Sequence, residues 1–189
     1  MTLAFRHAAE FEAGGTAAYL RLTPGREARS RAGGLLQLNA RGEPVEFTYS
    51  EVTEPESALW QPERLAEHLQ VELCIALFRR AHRSPLLLLY REGELPATLF
   101  ETELLRGVPV GRVTPVSDCG PTIVERAPGA GSDHEHLGVI WHPAPPAAGS
   151  AASNLLAALR QRQLLREPFD RIPVGLGQIW RSEQPSCLP

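Results

Sequence analysis

The stretch from Pro62 to Tyr90 constrains the fold more than any other. Pro62 sits where the first turn of a helix tolerates proline, and Glu63 and Glu67 favour the positive end of the helix dipole. Leu65, Leu69 and Leu73 form one stripe, and the run from Leu73 to Phe78 is apolar without a break. Arg79, Arg80, His82 and Arg83 then complement the negative end. The spacing predicts a helix to about Arg83, with its second half covered on more than one side. Ser84-Pro85 stops it, and Leu86 to Tyr90 reads as a central strand buried on both faces.

The neighbours of that strand come from either side in sequence. Gly34 to Asn39 and Val45 to Val52 flank Ala40-Arg41-Gly42-Glu43, and the second alternates Val45, Phe47, Tyr49 against Glu46, Thr48, Ser50, which predicts a hairpin with one wet face. Gly42 supplies the positive φ of a tight connection, and Pro44 opens the outgoing strand where a missing donor costs least. Thr16 to Leu22, ended by Thr23-Pro24-Gly25, reads as a further strand. Thr98 to Leu105, Val108 to Val113, Thr122 to Arg126 and Leu137 to His142 follow as shorter ones, while the glycine pairs Gly14-Gly15 and Gly33-Gly34 read as bends and strand entries.

Residues 1–142 are therefore expected to form an α+β domain, a largely antiparallel sheet with one long buried helix and helices on one face. Pro143 to Ser150 has the composition of a semi-rigid spacer, which extends to residue 152. Residues 153–189 are read as a C-terminal helix, Ser153 to Arg166, and an extended arm. In that arm Ile172, Val174 and Leu176 alternate at period two before Ile179 and Trp180.

Composition removes several function classes. All nineteen basic residues are Arg, so a Schiff-base lysine, a Walker A loop and a protein kinase are excluded within this chain. Asp118, Asp133 and Asp170 are the only aspartates, which makes metal sites built on clustered Asp hard to assemble. A net charge of −3 argues against a chain whose main task is covering phosphate backbone. Cys74, Cys119 and Cys187 are odd in number and widely spaced, so reduced thiols are expected. No secretory or membrane-spanning run is present in the sequence, and the expected location is cytoplasmic.

Two constellations remain. His134 and His136 share one side of an extended segment and could jointly hold a metal with Cys119, but His142 lies six residues further, roughly 20 Å along a strand. No complete metalloenzyme signature and no G-x-S-x-G accompanies them. Arg160, Arg162, Arg166, Arg171 and Arg181 face only Glu167, Asp170 and Glu183, a local surplus of positive charge. With no finished catalytic set, the sequence reads as a non-enzymatic adaptor without a cofactor. Its arm would grip a protein partner through Ile172, Val174, Leu176, Ile179, Trp180, Arg171 and Arg181. The alternatives are a metal-dependent or thiol hydrolase using His134, His136 and Cys119, and a weak nucleic-acid binder using the C-terminal Arg residues.

Overall fold

The computed structural model describes residues 1–5, 15–55, 60–91, 105, 107–115 and 137–183. Its strands are β1 (Thr2–Ala4), β2 (Ala17–Pro24), β3 (Ser30–Leu38), β4 (Pro44–Thr53), β5 (Leu87–Arg91), β6 (Val110–Pro115) and β7 (Leu137–His142). The helices are α1 (Pro62–Arg80), α2 (Ala151–Gln161) and α3 (Glu167–Glu183). One seven-stranded sheet has the order β1-β4-β3-β2-β5-β6-β7. Strands β2, β3 and β4 form an antiparallel meander; α1 then carries the chain across so that β5 lies parallel to β2 on its free side, and β6 parallel to β5. The sheet is mostly antiparallel around a parallel trio, the α+β class that the strand and helix pattern implies. The expected strands at 98–104 and 122–126 lie outside the described residues.

Alternation along the central strands splits the core in two. Ala18, Leu20, Leu35, Leu88 and Tyr90 face α1, where Leu73, Cys74 and Leu77 meet them. Ala17, Tyr19, Leu36, Phe47, Leu87 and Leu89 face the other way, against Leu155, Leu156 and Leu159 of α2 and Phe169, Ile172 and Leu176 of α3. The helices thus cover both faces of the sheet, where one was expected. The supposedly wet side of β4 is covered too. Glu46 is 1% exposed, and its Oε1 accepts from the backbone N–H of His82 at 2.9 Å and from Thr48 Oγ1 at 3.0 Å. The chain leaving α1 supplies what these buried polar groups lose from water.

Gly33 and Gly34 lie in the middle of β3, neither at a bend nor at its entry. A Cβ on Gly34 would stand 2.5 Å from Ile172 Cγ2, and one on Gly33 would stand 2.9 Å from Leu22 Cδ2 and 3.0 Å from Leu77 Cδ1. Successive residues point to opposite faces, so the pair lets α3 approach on one side and α1 on the other.

The C-terminal segment departs most from expectation. Ser150 caps α2 by accepting from the N–H of Ser153 at 3.1 Å, α2 ends at Gln161 rather than Arg166, and the supposed extended arm is α3. Read at helical spacing, Phe169, Ile172, Leu176 and Ile179 lie on one stripe, and this is the stripe turned to the sheet. Both helices share a core with β2 and β5, so 153–183 is part of the sheet's own packing.

Candidate functional site

In open sheets of parallel strands, ligands bind outside the strand carboxyl ends where the order of the chain reverses. Here β3 and β4 were laid to one side of β2, and β5 and β6 to the other, so the reversal falls between β2 and β5. Half-buried arginines stand at this edge: Arg21 on β2, Arg91 closing β5, and Arg112 on β6 beside Tyr90. Leu137 at the start of β7 pairs with Pro115 at the end of β6.

Two interactions brace this end. Arg21 Nη1 donates to the carbonyl oxygen of Phe169 at 3.2 Å and to Asp170 Oδ1 at 3.1 Å, tying the central strand to the first turn of α3. Beyond it, Glu51 accepts from Ser30 Oγ at 2.6 Å, from the Arg26 N–H at 2.7 Å and from Arg26 Nε at 3.0 Å. Arg26 Nη1 also reaches Glu183 Oε2 at 2.9 Å, and Tyr49 donates to Glu183 Oε1 at 2.9 Å. Partial burial raises the Glu51 pKa, but the donors from Ser30 and Arg26 outweigh it and hold the carboxyl below its ordinary value. Burial and the bond to Glu183 push Tyr49 up. Glu51 is an ionised bracket for the turn between β2 and β3, the opposite of a carboxyl tuned toward neutral pH for proton transfer.

Among the described residues no three His, Cys, Asp or Glu side chains come together in a way that could hold a metal ion. A two-metal centre of the kind many nucleases use does not fit these residues, and no metal-dependent step is derived from them.

The residues singled out from the sequence fare unequally. Cys119, His134 and His136 lie outside the described residues. Ile172 and Leu176 are buried in the core, and Ile179 and Trp180 pack against it. Val174 is 59% exposed, Arg171 pairs with Glu167 at 2.7 Å and donates to the Gly42 carbonyl at 2.9 Å, and Arg181 is exposed on the last turn of α3. Sequence reasoning missed Arg21, Arg91 and Arg112. The available signal was an arginine inside or closing an apolar strand, as Arg91 closes Leu87 to Tyr90.

A mostly antiparallel sheet with a parallel trio at its centre, covered on both faces by helices, places the chain among α+β proteins. Two solved structures share this fold over most of their length. Endonuclease V from Streptomyces avermitilis superposes with a TM-score of 0.56 at 14% identity, covering 89% of this chain and 82% of that one. Endonuclease V from Bacillus subtilis does so with a TM-score of 0.54 at 13% identity, covering 90% and 82%. At such identities the likeness is one of fold. No protein-family model and no curated protein sequence matches the chain. The non-catalytic adaptor reading is corrected on two grounds: the fold is shared with two endonuclease V structures, and the apolar residues assigned to the gripping arm are largely committed to the chain's own core.

Proposed function

We propose that this protein binds and processes nucleic acid. The observation that carries the reading is the extent of the likeness to the two endonuclease V structures, about nine-tenths of this chain in each case. No helix among the described residues is long and apolar enough to cross a membrane.

The test is direct. The protein is incubated with end-labelled single- and double-stranded DNA and RNA, with and without Mg2+ or Mn2+, while binding is followed across a salt series. Expected are an affinity that falls steeply with salt and strand cleavage of at least one substrate. Absence of binding at low salt overturns the proposal, and binding without cleavage of any substrate overturns its processing half.

A further inference from the structure

The chain has three tryptophans, and the fold uses them differently. Trp141 and Trp180 pack against the half of the core under α2 and α3, whereas Trp60, in the segment that enters α1, belongs to neither half and is 44% exposed. Its indole lies on the imidazole of His68, with ring centroids 5.1 Å apart and planes inclined by 22°. His68 Nε2 in turn stands 3.4 Å from Glu72 Oε1, one helical turn further on. Leu69, Leu73, Cys74 and Leu77 are the residues that α1 buries against the sheet, so His68 and Glu72, both half-exposed, stand on the outward side of the helix.

The stack stands at a particular end of the sheet. Thr53 closes β4 opposite Ser30, and Pro24 closes β2 opposite Arg31, so both strands finish at the same end. From there the chain enters α1, which runs back across the sheet until the His82 N–H bonds Glu46 beyond its last turn. Midway a Cβ on Gly33 would meet Leu77 Cδ1 at 3.0 Å and Leu73 Cδ2 at 3.3 Å, and the turns ahead of Leu73, with His68 and Trp60, lead back toward the strand carboxyl termini. Two rings outside the core thus stack at the end where such sheets receive ligands. Beside them Arg64 lies 3.6 Å from Glu67, so charges of both signs line this side and the distinctive feature is the ring face.

We infer that Trp60, backed by His68, is a stacking platform for an unpaired base of single-stranded nucleic acid. The inference rests on the proposed function and deepens it by naming the class of substrate. Every nucleobase has a π-face; in a duplex its neighbours cover both sides of it, whereas an unpaired base is open to stack on an indole. The imidazole holds the indole in one orientation, and the Glu72 carboxylate steadies the imidazole, so little freedom remains to be lost when a base arrives. A residue that merely fixed the entry to α1 would act on folding alone and would not distinguish a strand with bases from one without them.

Binding of the full chain to a labelled single-stranded oligonucleotide, titrated over a salt series beside an abasic strand of the same length, tests this. Trp60→Ala should bind the oligonucleotide about five- to a hundredfold more weakly. Its log–log salt slope should equal the parent's, because no phosphate contact is lost. Its affinity for the abasic strand should match the parent's too, and Trp60→Phe, which keeps a ring face, should retain most of the affinity for the oligonucleotide. Melting temperatures establish that the variants fold; if Trp60→Ala does not, Trp60→Leu, which fills space without a ring, takes its place. Trp60→Ala binding the oligonucleotide as tightly as the parent, or losing as much on the abasic strand, overturns the platform but leaves the proposed function standing, as does a parent that binds duplexes alone. A parent that binds no nucleic acid overturns both.

Discussion

Pro173 lies inside α3 and has no N–H to give to the carbonyl of Phe169, four residues earlier, and that oxygen accepts Arg21 Nη1 instead. A charged donor from the central strand replaces a missing helical one. Arg21→Ala should therefore cost about 1 to 3 kcal/mol in chemical denaturation, since it strips a charged hydrogen bond from a partly buried group. The ion pair with Asp170, whose side chain is 64% exposed, adds little. In a Pro173→Ala background the helix regains its own donor, and the same change should cost about 1 kcal/mol less. Strictly additive costs would mean that the two residues are not linked. Glu51 gives a second expectation at this scale. Its carboxyl is held below the ordinary value, so its contribution is present above the unfolded pKa and is lost as pH falls through the depressed folded one. The stability gap between the parent and Glu51→Gln should accordingly narrow as pH drops below about 4, and a gap that stays constant or widens contradicts the assignment. Neither pairing was legible in the sequence. Arg21 and Phe169 are 148 positions apart, and nothing in a linear pattern reports which carbonyl a proline has left without a donor.

At the scale of elements, legibility followed periodicity. The helix α1, the β3–β4 hairpin and the apolar strand β5 all stand near where their patterns place them, because each pattern admits one period. The tail admits two. Ile172 and Leu176 belong both to an alternation with Val174 and to a helical stripe with Phe169 and Ile179, while Pro173, Gly175 and Gly177 weigh against a helix on propensity alone. Burial decided for the helix, since only that stripe lets Phe169, Ile172 and Leu176 cover Tyr19, Phe47 and the gap above Gly34 together. Deleting Arg171 to Pro189 should then lower the melting temperature by many degrees or cause aggregation, because Ile172→Ala alone is expected to cost about 2 to 5 kcal/mol. A thermal scan settles it, and an unchanged transition would restore the free arm. The buried row Glu46, Thr48 and Ser50 was misread for the opposite reason: its polarity is real, but the end of α1 answers it.

For the molecule as a whole, the sequence conveyed the class of fold and obscured the use. The candidate site was obscured likewise, because the side chains at the strand ends come from β2, β5 and β6, which are adjacent only after α1 has carried the chain across.

The same crossing sets an order of events during synthesis. The strand that ends up in the middle of the sheet, β2, leaves the ribosome some seventy residues before its parallel neighbour, and 148 positions separate Arg21 from the carbonyl it bonds in the helix that covers Tyr19. The meander of β2, β3 and β4 can pair at once, but one of its apolar faces stays open to the cell until α3 is made. Non-local closure of this kind slows folding and leaves sticky intermediates exposed. A nascent chain paused ahead of α3 is thus a natural client for chaperones, and the central strand is completed long after it is made.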